Sequence, residues 1–373
     1  MGLLTQQNEV KLADEFQNIN VSVFKQLMRD KFSLIAFVVL FIIYFSLLFA
    51  DIIAPYTKDF SDRNMSYAPP SVIFTINEKG KLSWPYTYNY KREFDPSTLQ
   101  VDYKLDRSHK YFLKLFQKGQ EYKFLGLIPG NRHLIGVAQE GRLYLLGTDI
   151  NGRDVFSRLL FGGRISMTIG FLALLVLFPI GLLYGGISGY FGGIIDTLMM
   201  RFAEAIMSIP SFYLLIILAA ILPSNMTSIQ RFMLIVLILA MIGWAGFARV
   251  VRGMVLSIKN QEFVQSAKSI GASNLRIIIK HILPQTTSYV IVAMTLSVPS
   301  YILSESGLSF LGLGIQQPDA SWGNMLKEAQ EYINILYRPW LLTPGFLIFI
   351  AVLSFNLIGD TIRDVLDPKS KVR

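Results

Sequence analysis

The chain reads as an all-α polytopic membrane protein with six transmembrane helices and a small, β-rich extracytoplasmic insertion. Three observations lead there. Of its 373 residues, 52% are hydrophobic and only 16% charged, with a mean hydropathy of +0.43, which is far from an average soluble domain. Six runs free of Asp, Glu, Lys and Arg approach or exceed the ~20 residues that cross a bilayer. They are 32–50, 165–195, 205–230, 232–248, 282–304 and 339–359. Between the first two lies a different material, residues 55–150, rich in Tyr, Lys, Asp and Pro.

Taken in order, residues 1–31 form a cytoplasmic N-terminal segment. Val21, Phe24, Leu27 and Met28 have helical spacing that suits an interfacial helix, with a frayed terminus as the equal alternative. Residues 32–54 are the first transmembrane helix. It is span-length and begins some thirty residues in, so it is expected to act as an uncleaved signal anchor. In the insertion, 71–76, 111–116 and 141–146 are short apolar runs, and 77–80 reads as a turn between two strands. The alternative is a partly ordered loop covering the mouth of the membrane domain. Residues 151–360 hold five more helices with a cytoplasmic loop at 252–285, and 361–373 are a cytoplasmic tail.

The net charge of +9 suggests nucleic acid, but its distribution argues against it. Cations gather at Lys11, Lys25, Arg29 and Lys31, at Arg249, Arg252, Lys259, Lys268, Arg276 and Lys280, and at Arg363, Lys369, Lys371 and Arg373. The intervening short loops hold Arg231, or Lys327 and Arg338. By the positive-inside rule both termini and the 252–285 loop face the cytoplasm. Arg231 and Arg249 flank the short fourth run and are expected to snorkel. The absence of cysteine leaves the insertion without disulfides. His109, His133 and His281 show no metal-ligand spacing. The only Gly-Lys pair, Gly80-Lys81, has Thr75 and Leu82 where a phosphate loop needs Gly and Ser/Thr. No nucleophile elbow, H-E-x-x-H or paired carboxylates stand out. The reading is therefore no enzyme, no catalytic residues, no metal and no cofactor.

The most informative stretch is 265–284, a charged segment between two apolar ones. Phe263, Val264, Ala267 and Ile270 mark one helical face. Gly271 closes that helix with a positive φ. Ser273 caps a second helix with a stripe of Leu275, Ile278, Ile279 and Ile282, and Pro284 heads the next span. An ordinary pair of interfacial helices is the alternative. The segment resembles the EAA loop of ABC importer permeases, E-A-A-x3-G-x9-I-x-L-P. Ala267, Gly271, Leu283 and Pro284 fit, while Gln265, Ser266 and His281 depart from it.

Three further stretches agree. Gly147, Thr148, Asp149, Gly152, Arg153, Asp154, Ser157, Arg158, Gly162 or Gly163, Arg164 and Ser166 match the L-G-T-D-x2-G-R-D-x2-S-R-x3-G-x-R-x-S signature of oligopeptide and dipeptide permeases. Residues 308–324 and 344–368 resemble that family's later segments. The likeness covers 145–373 well, 25–55 weakly, and nothing between. It implies six helices of the type I ABC importer kind in a bacterial cytoplasmic membrane. The partners it implies are a second homologous permease, one or two ABC ATPase subunits and an extracytoplasmic solute-binding protein. It places ATPase docking at Gln265, Ser266, Ala267, Lys268, Gly271 and Ala272. The implied action is ATP-driven translocation of peptides or peptide-like solutes by alternating access. An ion-coupled secondary transporter is the alternative, which predicts inverted repeats, broken helices and midplane carboxylates.

Intramembrane ionisable groups default to functional hypotheses. Glu204 is expected to pair with Arg201. Glu305, with Ser304, Tyr301 and Trp244, is a candidate for the solute path. A solvated carboxylate at the outer interface is the favoured alternative for Glu305. Trp244 and Trp322 are read as path-lining or interface anchors. The glycines of 181–193 are read as close packing between spans, with sliding as the functional alternative.

Overall fold

The computed structural model describes residues 27–77, 80–96, 100–138, 140–223 and 226–366. Val21 and Phe24 of the expected interfacial helix and the tail beyond Leu366 lie outside these residues. Among the described residues five helices are long and apolar enough to cross a membrane, and a bent pair brings the number to six when its two helices are counted as one span.

The chain divides into two compact units. The first takes the described residues of Met1–Phe41, Thr168–Ser304 and Phe349–Arg373. The second is Ile42–Met167 with Glu305–Ile348. Helix α1 (Lys31–Leu48) starts in the first unit, where Asp30 caps it through the Ser33 amide at 2.8 Å. A short α2 follows (Ala50–Ile53).

In the second unit β1 (Phe74–Ile76), β2 (Leu82–Asp95) and β3 (Gln100–Phe112) form an antiparallel sheet, and β4 (Lys114–Phe124) with β5 (Ile128–Gly136) a hairpin. The expected 77–80 turn is present at its two described ends. Gly80 N–H donates to the Asn77 carbonyl, and the Asn77 side chain accepts from Lys81 N–H. The strands exceed the short runs expected. Tyr86, Tyr88 and Tyr90 alternate along β2 on one buried face, while Thr87 is buried on the other. The run 111–116 is not one strand but the junction of β3 and β4, and 141–146 is not a strand at all. That last run instead packs Leu143 and Tyr144 into the unit's core.

Helix α3 (Val155–Phe191) begins at Asp154, whose carboxylate accepts from the Ser157 amide at 2.7 Å and hydroxyl at 2.6 Å. In the first unit it ends at Gly192, with φ of +68°. Then come α4 (Gly193–Met207) and α5 (Ser211–Ala220), bent by 74°. The single third span expected over 205–230 is thus corrected. Pro210 has no N–H to continue α4 and stands as the first residue before α5. Helix α6 (Ser228–Ile258) opens on a reciprocal Thr227–Gln230 capping box. Arg231 does not snorkel. It is buried and donates to the Pro223 carbonyl at 2.9 Å.

Helix α7 (Glu262–Ser269) and α8 (Asn274–Ile277) make up the loop region. A π turn at Ile278–Ile282 and a 3-10 turn at Leu283–Thr286 then lead into α9 (Thr287–Phe310). The winding changes where Pro284 removes a backbone donor, so helix runs through the proline rather than starting at it. The second unit adds α10 (Trp322–Leu326) and α11 (Tyr332–Tyr337), and α12 (Thr343–Leu366) closes the described chain.

Candidate functional site

Val264 and Ala267 bury one edge of α7, leaving Gln265, Ser266 and Lys268 exposed along the other. The helix closes on a Schellman motif. Ala272 N–H donates to the Ala267 carbonyl at 3.1 Å and Gly271 N–H to the Lys268 carbonyl at 2.9 Å. Gly271 carries φ of +81° with open space around it. Its requirement is therefore conformational rather than steric. The four-residue face expected from spacing shrinks to two, because Phe263 and Ile270 are exposed. Ser273 stands at the cap of α8 without a side-chain bond, and the buried stripe beyond it is Ile277, Ile278 and Ile282 rather than Leu275 or Ile279.

Beneath α7, Tyr190 gathers the neighbouring elements. Its hydroxyl donates to Asn274 Oδ1 at 2.9 Å, and the Lys268 ammonium stands 5.2 Å from its ring centroid. Lys259 donates to the Gly189 carbonyl at 2.9 Å. Nearby, Asp196 receives a two-pronged contact from Arg252, with Nε at 2.8 Å, and a hydroxyl from Ser188. This pair escaped the sequence reading because its members lie 56 residues apart. On α3, Gly181, Gly185 and Gly189 recur every four residues. A Cβ on them would meet the backbone oxygens of Trp244, Ala248 and Arg252 on α6. Glu204 pairs with Arg201 at 3.0 Å, as expected.

In the second unit the Gly147–Ser166 signature is a packed polar turn. The Asp149 carboxylate accepts from the Asn151 amide at 2.8 Å, the Arg153 amide at 3.0 Å and Arg153 Nε at 2.6 Å. Arg158 Nε lies 3.5 Å away. Arg153 and Arg158 both reach Gln317 Oε1. A Cβ on Gly152 would overlap the Asp62 carbonyl. Two neighbouring acids are held above the ordinary carboxylate range. Burial pushes Asp154 up to about 7 against the pull of its Ser157 bonds. Burial, then the Asp149 charge, raises Glu328.

Glu305 corrects the expectation of a solvated carboxylate, for it is wholly buried. Ser166 donates to its Oε2 at 2.8 Å and Ser309 to its Oε1 at 2.7 Å. Each serine oxygen also accepts a backbone N–H at 3.0 Å, from Trp322 and Ile315 respectively. The other candidates for the solute path belong to the first unit. Tyr301 reaches α6 at Gly243, where its hydroxyl would meet an added Cβ, and Ser304 donates back to the Ser300 carbonyl at 2.7 Å. Trp244 is buried between Tyr184 and Phe202, its Nε1 without a hydrogen-bond partner among the described residues. Trp322 is also fully buried, donating from Nε1 to the Leu159 carbonyl at 2.9 Å. Neither tryptophan is an interface anchor. The two ring nitrogens of His133 lie 2.6 Å from the Ala54 carbonyl and 3.1 Å from the Gln120 carbonyl, a structural bridge beside a cavity of about 400 Å³. Among the described residues no cluster of His, Cys, Asp and Glu is set to hold a metal ion.

Comparison with known proteins places this geometry. Residues 178–372 match the family described as binding-protein-dependent transport system inner membrane component. Residues 21–70 match the N-terminal TM domain of oligopeptide transport permease C. The dipeptide transport system permease of Bacillus subtilis is 46% identical over 60% of this chain and 68% of its own length. An oligopeptide transport permease of Haemophilus influenzae is 43% identical over 61% and 71%. A glutathione transport permease of Escherichia coli is 41% identical over 60% and 72%. Six apolar spans, a glycine-closed loop helix and a polar turn heading the second long span thus come together with this sequence likeness, and the chain belongs to the binding-protein-dependent transport system inner membrane component family, the permeases of ABC importers.

Proposed function

We propose that the chain is the membrane-spanning permease subunit of an ATP-driven importer that moves peptides or peptide-like solutes inward by alternating access. It carries no phosphate-binding loop, so ATP hydrolysis belongs to separate ATPase subunits. A second, homologous permease completes the path and a solute-binding protein delivers the cargo. The membrane is the bacterial cytoplasmic membrane, with both termini and the 252–285 loop inside. The peptide class comes from the relatives' names and from the Gly147–Ser166 signature.

The observation that carries this reading is helix α7. Val264 and Ala267 anchor it, and Gln265, Ser266, Lys268 and Gly271 stand exposed as a short ledge beside Ala272. Such a ledge suits a groove on a partner ATPase. Motion of α7 has a route onward within the same unit, through Lys268, Tyr190 and Asn274. The broken α4–α5 pair and the buried Glu305 are features that an ion-coupled transporter also has. The serine bonds around Glu305 favour a fixed structural role over proton passage. Uptake into vesicles with and without the ATPase subunits decides between them. The importer reading requires uptake only with ATPase and ATP. Accumulation by this chain alone on an ion gradient rejects it.

A further inference from the structure

The β4–β5 hairpin ends on an apolar tip. Phe124 pairs with Ile128 across a turn in which Gly126 N–H donates to the Lys123 carbonyl and Leu127 N–H to the Phe124 carbonyl. Leu125 sits at φ of +49°, a left-handed conformation that side chains other than Gly and Asn avoid. Turn chemistry in water favours Gly, Asn or Asp at such a place. Instead Leu127 is 83% and Ile128 63% exposed, and Leu125 is half exposed. Lys123 is exposed at the edge of this patch, next to Tyr122.

The tip is tied to the end of the first span. The Phe124 ring stacks on Phe49 at 5.6 Å, and Phe49 lies 4.7 Å from Phe45. Leu125 N–H faces Asp51 Oδ2 at 3.4 Å. Asp51 also receives Arg164 Nη2 at 2.7 Å, and Arg164 donates to the last carbonyls of α1, Leu47 at 2.6 Å and Leu48 at 2.9 Å. One arginine thus closes the spanning helix while its carboxylate partner holds the hairpin turn. On α1 itself Ile42, Phe45 and Leu48 are exposed. The apolar tip therefore continues the exposed apolar surface of a membrane span at the level where that span ends.

We propose that the 124–128 tip inserts into the interfacial layer of the bilayer beside the Leu48 end of the first span. Apolar side chains flanked by an amphipathic aromatic and a cation are the composition that this layer takes up, with the lysine reaching to the headgroups. The lipid anchor fixes the β-rich segment against the membrane surface.

The chain has no native cysteine, so a single cysteine replaces Leu127 and carries a nitroxide label. The full chain, with its partner subunits, is placed in phosphatidylcholine–phosphatidylglycerol nanodiscs. Collision with oxygen is compared with collision with a water-soluble nickel chelate. A label replacing Phe45 gives the lipid reference. The proposal expects oxygen to dominate at position 127, as it does at 45. Dominance of the nickel chelate means that the tip stands in water and overturns it. Protection from both means that a protein subunit covers the tip, and also overturns it. A label replacing Ile128 repeats the reading independently should the cysteine at 127 disturb the turn.

Discussion

Gly271 is the residue on which the docking account turns, and its φ of +81° defines what replaces it. Nothing crowds it, so Gly271→Asn retains the turn, because Asn tolerates left-handed backbone. Gly271→Pro cannot adopt that angle, since its ring holds φ near −65°. The expected outcome is loss of substrate-stimulated ATPase activity and uptake in Gly271→Pro, with membrane insertion intact and near-normal activity in Gly271→Asn. Glu305 gives a second test. Gln preserves the shape and most of the hydrogen bonding of this buried group, so Glu305→Gln keeps most uptake. Glu305→Ala leaves the Ser166 and Ser309 hydroxyls without their acceptor and costs about 1–3 kcal/mol of stability. Loss of uptake in a well-assembled Glu305→Gln protein points instead to proton coupling.

Asp154 sets a pH dependence at the same scale. Its folded carboxyl titrates near 7, above the ~3.9 of an unfolded aspartate. Between those values the folded chain holds a proton that the unfolded chain has released. Its contribution to stability is therefore greatest below pH ~4 and falls as pH rises toward 7, by at most ~1.4 kcal/mol per pH unit. Asp154→Asn keeps an effective cap and removes the titration. Apparent melting midpoints between pH 5 and 8 are expected to fall less steeply in Asp154→Asn than in the parent chain.

At the scale of elements, the spacing of glycines on α3 decides how closely it lies to α6. Gly185 faces the Ala248 carbonyl with no room for a side chain against that backbone, and Gly181 packs tightly on the Phe247 ring and the Trp244 carbonyl. Gly185→Val is expected to lower the yield of folded protein in detergent far more than Gly253→Val, because Gly253 meets nothing nearby. Legibility in the sequence followed the physics of each element. Long apolar runs, the Asn77 turn and the Gly271 closure are local signals and were readable. The bend at Pro210 was hidden inside a run that hydropathy alone makes continuous. The alternation Leu82, Trp84, Tyr86, Tyr88, Tyr90 is a local strand signal for β2, and Pro85 in its midst, a residue that interior strands avoid, masks it. The burial of Glu305 and the Asp196–Arg252 pair depend on residues distant in sequence, and no local pattern encodes them.

At the scale of the whole molecule, the topology proposed from the Lys/Arg distribution puts the 252–285 loop inside and residues 55–145 outside. Cysteines placed singly at Ser266 and Lys110 are expected to react with an impermeant maleimide from opposite faces. Within the second unit, residues 55–145 and 308–340 are built together, through Lys58–Asp319 at 3.6 Å and the Arg338 guanidinium 3.7 Å from the Tyr67 ring centroid. The central claim is that this chain transmits ATP energy through α7. Its most direct test is cross-linking from a single cysteine in the assembled transporter. A cysteine at Ser266, carrying a short photoactivatable linker, is predicted to capture the ATPase subunit, with a yield that changes between nucleotide-free and ATP-bound states. A cysteine at Arg63, in the β-rich unit, is predicted to capture none. Capture of the ATPase from Arg63, or its failure from Ser266 in a complex that hydrolyses ATP, contradicts the account.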